Sequence, residues 1–518
     1  MKERLLIVLL GAMACMGTTA VAQQASEDTP ADQAGGLQGL IARFGSLYQD
    51  NCAVCHGVGF EGGAQGTPLK GSDLIHGDGM DDIVQSIRDG YPEKGMPAWS
   101  ETFSDTEIQS LALWIKENRE GIFMDDLGLD RELVVPTDTI ATEHHNVRLE
   151  VLIDGLEMSF SIAPLPDGSF LLTEKSHGLS IISPDGQQSE YIKGTPKVYP
   201  SQGLGGLGWL LDVALHPDYE KNGWIYLHYS ERCEECNAIS RETKRPVSMN
   251  VLVRGRIRDG AWVDEELIWK APIESYTSMT DIATGGRTAM DPDGFVFISV
   301  GFKTMDGNQS LASPHGKIHR MHDDGRIPTD NPFVDNPTAL GTIWSYGHRS
   351  PQGLDFNIKT RQLWGTEHGP RGGDEVNLLK PGKNYGWPAF SKGQNYNGSE
   401  VNYGRDDLEL ELEDIEQPVV DLTPSPGVSS MVFYDGEAFP EWRDDIIVAT
   451  MKASDLLRVE IRDNKLIHKE TLINQLARIR DVEIGNSGEI YLLLEHTAGS
   501  KIVRLFPAEK EQHAKDQP

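Results

Sequence analysis

Two hydrophobic periods divide this chain of 518 residues. Before about residue 121 the apolar residues recur at helical spacing, and beyond residue 146 they form short runs that alternate with turn residues. The change of period predicts a small all-α domain over 41–121 and a larger all-β domain over 146–508. The stretch between them, 122–145, is acidic and lacks a long apolar pattern, which is typical of a linker.

The helical part contains a clear start signal. Ser104 and Glu107 have the spacing of a capping box, in which each side chain accepts a hydrogen bond from a backbone N–H of the first turn. A second helix is predicted around residues 40–48, with Phe44 and Leu47 on its apolar face. The apolar face of the helix that follows the capping box consists of Ile108, Leu111, Ala112 and Ile115.

The β part repeats one plan, which is strand, turn, strand. Three examples are Phe160–Glu174, Thr288–Val300 and Asp481–Leu494, each with a Pro-Asp-Gly or Asn-Ser-Gly turn near its centre. Repeated antiparallel hairpins over this length predict a β-propeller, in which four-stranded blades surround an axis. A large β-sandwich is the alternative that the period alone leaves open.

The N-terminus has the pattern of an export signal. Lys2 and Arg4 precede an apolar run, Leu5–Met16, and Ala20-Val21-Ala22 forms a small-residue cleavage site. The run is too short to span a bilayer, so we predict a periplasmic protein without a transmembrane anchor. The predicted signal occupies residues 1–22, an N-terminal linker residues 23–40, and a C-terminal tail residues 509–518.

The motif Cys52-Ala53-Val54-Cys55-His56 indicates covalent haem c. Cys52 and Cys55 can form thioether bonds to the two vinyl groups of one haem, and His56 then lies beneath the iron as an axial ligand. The order of elements over 41–121 (helix, haem motif, loop, methionine, terminal helix) resembles a class I cytochrome c. The export signal agrees with this cofactor, because haem c is attached outside the cytoplasm.

Two methionines compete for the sixth position on the iron. Met96 precedes Pro97 in an extended loop, where its sulfur can reach the iron from the side opposite His56. Met80 is the rival, in an acidic turn that lacks such a rigid flank. We therefore predict His56/Met96 ligation, which is typical of an electron-transfer haem.

Charge and cysteine content limit the partners and the compartment. A formal net charge of −32 argues against nucleic acid and anionic lipid as partners. Of the five cysteines, Cys15 lies in the export signal and two belong to the haem motif. Cys233 and Cys236 remain, and we predict a small loop disulfide, with a redox-active pair as the alternative.

Several segments of 146–508 resemble the six-bladed sugar dehydrogenases that depend on pyrroloquinoline quinone (PQQ), the soluble glucose and aldose dehydrogenase type. The most specific segment is Tyr346-Gly347-His348-Arg349-Ser350-Pro351-Gln352-Gly353-Leu354. The other matching segments are 210–219, 316–320, 327–333, Glu367-His368-Gly369-Pro370, Asp374-Glu375-Val376-Asn377 and Asn384-Tyr385-Gly386-Trp387-Pro388.

The resemblance implies a set of residues that hold the cofactors. PQQ carries three carboxylates and two adjacent carbonyl groups, which suit cations and a bound Ca²⁺. The implied PQQ contacts are Arg349, Lys452, Arg478 and Arg480, with Arg349 also counted as catalytic. The implied Ca²⁺ ligands are the main-chain carbonyls of Gly369 and Pro370 for the ion at the quinone, and Glu375 with the Tyr385 carbonyl for a second, structural ion.

The chain also departs from that family. Ala283 stands where the family has the histidine that removes the substrate hydroxyl proton, and Leu207 stands where it has an active-site glutamine. An alanine cannot act as a base, so cofactor binding is implied more securely than sugar oxidation. Asp281, two residues from Ala283, is the nearest candidate replacement, although an aspartate beside a loop is more often a turn residue.

The sequence therefore predicts a periplasmic quinohaemoprotein dehydrogenase with three cofactors: PQQ, Ca²⁺ and one haem c. Its expected partners are a small-molecule substrate, a sugar or a related hydroxyl or hydrated-carbonyl compound, and an external electron acceptor such as a cytochrome or an oxidase. The alternative is a degenerate propeller that binds a ligand or a partner and uses the cytochrome only as an electron relay.

Overall fold

A computed structural model describes residues 43–123, 126–129, 131–201 and 205–508. The predicted export signal, residues 1–22, lies outside the described residues, as do 23–40 and the tail 509–518. The helices of the N-terminal domain are α1 (43–51), α2 (Ala53–His56), α3 (Met80–Asp89) and α4 (Asp105–Glu120).

The start of α4 follows the predicted capping box. Glu107 N–H donates to Ser104 Oγ at 3.3 Å, and Ser104 N–H donates to the Glu107 carboxylate at 3.0 Å. The helix ends at Gly121, whose φ of 70° lies in the left-handed region. The buried apolar core of this domain consists of Tyr48, Phe60, Ile83, Ile87, Ile108, Leu111, Ala112 and Ile115.

The rest of the described chain forms six antiparallel sheets. The first is three-stranded: β3 (Ser159–Pro164), β4 (Phe170–Glu174) and β5 (Gly178–Ile182). The next two are β6 (Leu210–Leu215), β7 (Ile225–Cys233), β8 (Val247–Arg258) and β9 (Ala261–Lys270), then β10 (Gly285–Met290), β11 (Phe295–Val300), β12 (Lys317–His322) and β13 (Ile343–Tyr346). The fourth and fifth are β14 (Ser350–Asn357), β15 (Gln362–His368), β16 (Glu375–Leu378) and β17 (Val420–Asp421), then β18 (Val428–Phe433), β19 (Ile446–Thr450), β20 (Leu456–Arg462) and β21 (Lys465–Ile473).

The sixth sheet joins the two ends of the domain. It combines β1 (Ile140–Ala141) and β2 (Asn146–Leu156) with β22 (Arg478–Ile484), β23 (Ile490–Glu495) and β24 (Ser500–Pro507). β2 pairs antiparallel with β24 from Val147 to Leu156, so the N-terminal strand closes the last blade.

Each sheet has one edge strand that faces the centre of the propeller. These inner strands pack side by side in a closed ring, in the order β3, β6, β10, β14, β18 and β22, with β22 returning to β3. The prediction of a six-bladed propeller behind a small helical domain is thereby confirmed. The three hairpins read from the sequence are the pairs β3–β4, β10–β11 and β22–β23.

Three further features complete the architecture. The range predicted to be a linker contains β1, which belongs to the closing sheet. Cys233 and Cys236 are joined by a disulfide between β7 and the short helix Ala238–Thr243, as predicted. Among the residues described, no helix has both the length and the apolar character needed to cross a bilayer.

Candidate active site

The haem motif occupies the turn from α1 into α2. Cys52 is the N-cap of α2, Cys55 lies within it, and His56 ends it. His56 Nδ1 lies 2.8 Å from the Thr67 carbonyl, so Nδ1–H donates and Nε2 is left with a lone pair for a metal. A Cβ on Gly66 would come within 2.5 Å of the Cys55 carbonyl oxygen, so only glycine lets the loop approach the motif this closely. The arrangement fits a covalently attached haem.

The two candidate methionines have different surroundings. Met80 begins α3 and packs against the apolar core of the helical domain. Met96 follows a short 3₁₀ turn and pairs its backbone with Tyr91, at 2.8 and 3.2 Å. Its side chain is not part of that core cluster and is half-exposed, which leaves the sulfur available as an iron ligand.

The candidate quinone residues converge on one face of the propeller. They lie where the first strand of a blade begins or where its second strand ends, because antiparallel neighbours bring those ends together. Arg349 precedes β14, Lys452 follows β19, and Arg478 and Arg480 open β22. Blades far apart in the sequence therefore supply one cluster of cations.

A buried carboxylate organises two of these cations. Glu495 Oε2 accepts hydrogen bonds from Arg478 Nε at 3.2 Å and from Arg480 Nη2 at 2.9 Å, while its other oxygen contacts Lys175 Nζ. The side chains of Lys175 and Glu495 are at most 2% exposed. Arg478 and Arg480 alone exceed the charge of one carboxylate, so the cluster keeps an excess of positive charge even when Lys175 is neutral, which suits an anionic ligand.

Burial has opposite consequences for the two buried partners. It lowers the pKa of Lys175 to about 7, in spite of the nearby Glu495. Burial alone would keep Glu495 neutral, but Arg480, Lys175 and Arg478 hold its pKa well below the usual range. Lys175 Nζ also lies 5.1 Å from the centre of the Trp209 ring.

Arg349 is held by β15, the second strand of its own blade. Its Nη1 donates to the His368 carbonyl at 3.2 Å, and its guanidinium lies 5.1 Å from the ring centres of Phe302 and Trp387. Its backbone N–H donates to Glu367. Burial lowers the pKa of His368 to about 4, so its ring is neutral near pH 7.

Several buried nitrogens at this face lack a hydrogen-bond partner in the structure. They are Arg349 Nε, Arg480 Nε, His368 Nε2 and Trp387 Nε1. Buried polar atoms are normally paired, so these four nitrogens have hydrogen-bonding capacity left for a ligand. Their chemistry fits the carboxylates and carbonyls of a quinone cofactor.

The remaining cation, Lys452, lies beside this set. Its backbone N–H donates to the Pro426 carbonyl at 2.9 Å. The preceding residue, Met451, places its sulfur 3.3 Å from Arg478 Nη2. A Cβ on Gly427 would come within 2.9 Å of the Lys452 Cβ, which explains why glycine occupies that position.

The loop with the candidate calcium carbonyls connects β15 to β16. Gly369 N–H donates to Asp374 Oδ1 at 2.9 Å, and Asp374 Oδ2 accepts from Gly427 N–H and Val428 N–H at 2.8 and 2.9 Å. Asp374 therefore fixes the Gly369–Pro370 loop to the start of β18. The backbone of the loop that contains the candidate calcium carbonyls is thus held in place.

The second candidate calcium site contains carboxylates on adjacent strands. Glu375 lies directly opposite Glu367 on β15 and Asp421 on β17. Burial and the nearby Glu367 raise the pKa of Glu375 to about 8. Like charges opposite one another are unfavourable, and a cation would relieve them.

The surroundings of that carboxylate row are partly satisfied already. Glu367 Oε2 lies 2.8 Å from His348 Nδ1, and the His348 ring stacks on Tyr385 at 4.5 Å. Within the described residues no group of three or more His, Cys, Asp or Glu side chains is arranged to hold a metal. A Ca²⁺ here would thus depend on main-chain oxygens, such as the Tyr385 carbonyl, as well as Glu375.

Asp281 is fully engaged in the structure. Its Oδ1 accepts from Lys303 Nζ at 2.6 Å, Ser230 Oγ at 2.8 Å and Ser248 Oγ at 2.7 Å. Its Oδ2 accepts from the backbone N–H groups of residues 208 and 209 at 2.7 and 3.3 Å. The geometry argues against the base role that the sequence suggested, because both oxygens are occupied and the side chain is buried.

These contacts give Asp281 a positioning role instead. It opens the 3₁₀ turn Asp281–Ala283, and its backbone N–H donates to the Gly206 carbonyl at 2.9 Å. Asp281 thus ties the turn that carries Ala283 to the loop that carries Leu207. The two positions at which the chain departs from the resembled family are therefore neighbours.

Residues 126–129 and Arg131 lie at the same face of the propeller, between the helical domain and the first sheet. The Leu127 carbonyl accepts from Arg478 Nη1 at 2.5 Å, and Arg131 pairs with Asp126. The Leu129 carbonyl accepts from Thr497 N–H at 3.4 Å. The range predicted to be a linker, 122–145, therefore also contributes residues that surround Arg478.

Sequence reasoning missed the two central residues, Lys175 and Glu495. Each is a single charged residue at or just after the end of a second blade strand, a position that also suits a solvated turn residue. The strand register of the predicted hairpin could have revealed Glu495, because Glu495 lies opposite Arg478 across β22 and β23.

Comparisons with known proteins agree with this architecture. Residues 156–504 match the family model described as glucose/sorbosone dehydrogenase, and residues 39–115 match the model described as cytochrome c oxidase, cbb3-type, subunit III. Aldose sugar dehydrogenase YliI of Escherichia coli (strain K12) is 33% identical over 374 residues, which are 70% of this chain and 93% of that protein.

A solved structure and a cytochrome relative add to this. The crystal structure of the soluble aldose sugar dehydrogenase from Escherichia coli in its apo-form shares 31% identity, with a TM-score of 0.60 over 70% of this chain and 100% of that one. The cbb3-type cytochrome c oxidase subunit CcoP of Azospirillum sp. (strain B510) is 32% identical over 84 residues, which are 15% of this chain and 28% of that protein.

Proposed function

Because the chain belongs to the glucose/sorbosone dehydrogenase family and carries a cytochrome c domain ahead of it, we propose that it is a PQQ-dependent quinohaemoprotein dehydrogenase. The substrate is a sugar or a related small molecule with a hydroxyl or hydrated-carbonyl carbon. The electrons pass from the propeller to the fused haem c and then to an external acceptor.

One observation carries this proposal: four candidate PQQ contacts from three blades converge on one face, where several buried nitrogens lack a partner. When bound, PQQ would supply a two-electron acceptor that can be reoxidised one electron at a time. Arg349, Arg478 and Arg480 would bind its carboxylates and orient it. The Gly369 and Pro370 carbonyls would hold one Ca²⁺, and Glu375 with the Tyr385 carbonyl would hold a second.

The cellular location belongs to the same proposal. The predicted signal over 1–22 and the haem motif support export, and the Cys233–Cys236 disulfide is typical of an oxidising compartment. We accordingly propose a periplasmic enzyme. The direct test is reconstitution of the full chain with PQQ and Ca²⁺, followed by haem reduction across a panel of sugars and alcohols.

A second function is favoured by one specific observation. Ala283, buried at the end of its 3₁₀ turn, offers no base, and Asp281 has both oxygens occupied. Without a base the propeller would serve as a platform for a ligand or a partner, and the haem as an electron relay. A histidine at position 283 separates the two functions, because it would supply the missing base.

Replacing Ala283 with histidine should raise the rate of aldose oxidation by roughly 10²–10⁴-fold, since a positioned general base contributes about that much. The rate is measured as substrate-dependent haem reduction by the PQQ-loaded and Ca²⁺-loaded protein. Ala283→Asn is the matched control, because asparagine has a similar size and no basic group. If neither the wild type nor Ala283→His oxidises any member of the panel, the platform function replaces the enzyme.

Replacing Met96 with alanine should abolish the sulfur–iron charge-transfer band of the oxidised protein, because the iron loses its sixth ligand. Met80→Ala is the control: it removes a core contact, so it should lower stability and leave the band in place. The absorption spectrum of the ferric protein measures both. A band that survives in Met96→Ala and disappears in Met80→Ala would reverse the assignment.

A further inference from the structure

Helix α4 is buried on two faces, and only one of them faces its own domain. Ile108, Leu111, Ala112 and Ile115 pack in the helical core. Ser110, Leu113 and Glu117 are also buried, and their spacing of three and four residues places them on a second face. That second face lies against the propeller.

The centre of this interface is a buried ion pair. Arg371 Nη2 and Nε donate to the two carboxylate oxygens of Glu117 at 2.8 and 3.1 Å. Both side chains are at most 4% exposed. The Arg371 guanidinium also lies 4.7 Å from the ring centre of Phe44 in α1. A bidentate pair of this kind fixes orientation as well as distance.

Further contacts between the two domains surround the Glu117–Arg371 ion pair. Ser110 Oγ donates to Gln394 Oε1 at 2.9 Å and lies 3.3 Å from the Gly398 carbonyl oxygen. A Cβ on Gly398 would come within 2.9 Å of the Phe44 ring, so glycine is needed for this approach. The two domains therefore meet at a packed surface.

The partner of Glu117 has a particular place in the propeller. Arg371 directly follows Gly369 and Pro370, the carbonyls proposed to hold the Ca²⁺ at the quinone. Its backbone pairs with Gln394 at 2.8 and 3.0 Å, and Asp374 holds the other side of the loop. The loop is thus fixed from within the propeller, and Glu117 of the haem domain binds to it.

We infer that the Glu117–Arg371 pair docks the haem domain on the loop 369–373 in one fixed position, and that electrons leave the propeller through this contact. The inference rests on the proposed function. Oxidation of one substrate carbon releases two electrons and two protons, while ferric haem takes up one electron at a time to become ferrous. An external one-electron acceptor must therefore reoxidise the docked haem between the two transfers.

Docking is tested in the full chain with its haem attached. A nitroxide on Lys465→Cys, an exposed site on the propeller, reports its distance from the ferric iron by pulsed electron paramagnetic resonance. We expect one narrow distance in the parent protein. Glu117→Lys places two buried cations together and should broaden the distribution of iron–nitroxide distances. Loss of a buried ionic partner should shift the equilibrium between docked and undocked domains by on the order of 100-fold or more.

Three variants make the result specific. Asp105→Lys is the matched control, because Asp105 lies on the same helix, is strongly exposed and pairs with Arg88 of the helical domain. The exchange Glu117→Lys with Arg371→Glu should restore the narrow distance. Glu117→Gln replaces Glu117→Lys if the latter loses the normal haem spectrum. A distance that stays narrow in Glu117→Lys, or in Glu117→Gln when that variant takes its place, overturns the inference.

Kinetics separate this inference from the proposed function. In the PQQ-loaded and Ca²⁺-loaded protein, Glu117→Lys should slow haem reduction by substrate at least about 10-fold and leave reduction of a small artificial dye unchanged. Unslowed haem reduction with a broadened distance would mean that the contact is not the electron exit. If the parent protein reduces neither haem nor dye, the proposed function fails, and the distance measurement still decides whether the domains are docked.

Discussion

Replacing Arg478 and Arg480 together with alanine should weaken PQQ binding by at least about 100-fold. Each substitution removes a charge-assisted hydrogen bond to the cofactor carboxylates, and such a bond contributes about 1.5–3 kcal/mol. The structure adds a second cost, because Glu495 then keeps only Lys175 as a partner. Titration calorimetry with PQQ in the presence of Ca²⁺ measures the change.

Two companion variants interpret that result. Arg478→Lys with Arg480→Lys keeps the charge that neutralises Glu495 and loses the planar fork, so we expect an intermediate loss of affinity. Arg462→Ala with Arg504→Ala removes two cations that are more than a third exposed and should leave binding unchanged. Equal affinity in the double alanine variant and the parent would reject these residues as PQQ contacts.

Replacing Asp281 with asparagine should destabilise the propeller by about 3–5 kcal/mol, because Lys303 is left as an unpaired buried charge. Both side chains are completely buried. A catalytic base predicts the opposite pattern, in which activity is lost and stability is retained. Denaturant unfolding of the haem-loaded protein distinguishes the two roles.

Removing the charges of both Asp281 and Lys303 should restore the stability of the propeller. Asp281→Asn with Lys303→Met eliminates the unpaired charge and should recover much of the lost stability, as is common when a buried pair is replaced by uncharged residues. The exposed Asp293, which pairs with Arg361 at the surface, gives the control Asp293→Asn with an effect near zero. A stability of Asp281→Asn equal to that of the parent would restore Asp281 as a candidate base.

Local signals in the sequence predicted the elements that local physics determines. The capping box at Ser104 and Glu107 set the start of α4, and the Pro-Asp-Gly turns set the hairpins, because both depend on residues a few positions apart. The haem motif is equally local. Repetition of one hairpin plan predicted a propeller, and the number of six blades was implied by the family resemblance.

Contacts between distant residues were beyond the same reasoning. Glu117 and Arg371 are 254 positions apart, so the sequence shows Glu117 only as one more charged residue on a helix. Leu113, an apolar residue off the main stripe of α4, was the one visible sign of a second buried face. Asp281 looked like a turn residue or a base, and only the fold shows the five donors around it.

Because β2 closes the sixth sheet, it determines where the chain can be truncated and when the propeller can fold. The family match begins at residue 156, where β2 ends, so a protein truncated there would expose the whole edge of β24 to self-association. A stable isolated propeller should instead begin before Ile140, ahead of β1. During synthesis β2 appears early with only the two-residue β1 as a strand partner, and its long partner β24 is made last, so the ring can close only when the chain is nearly complete.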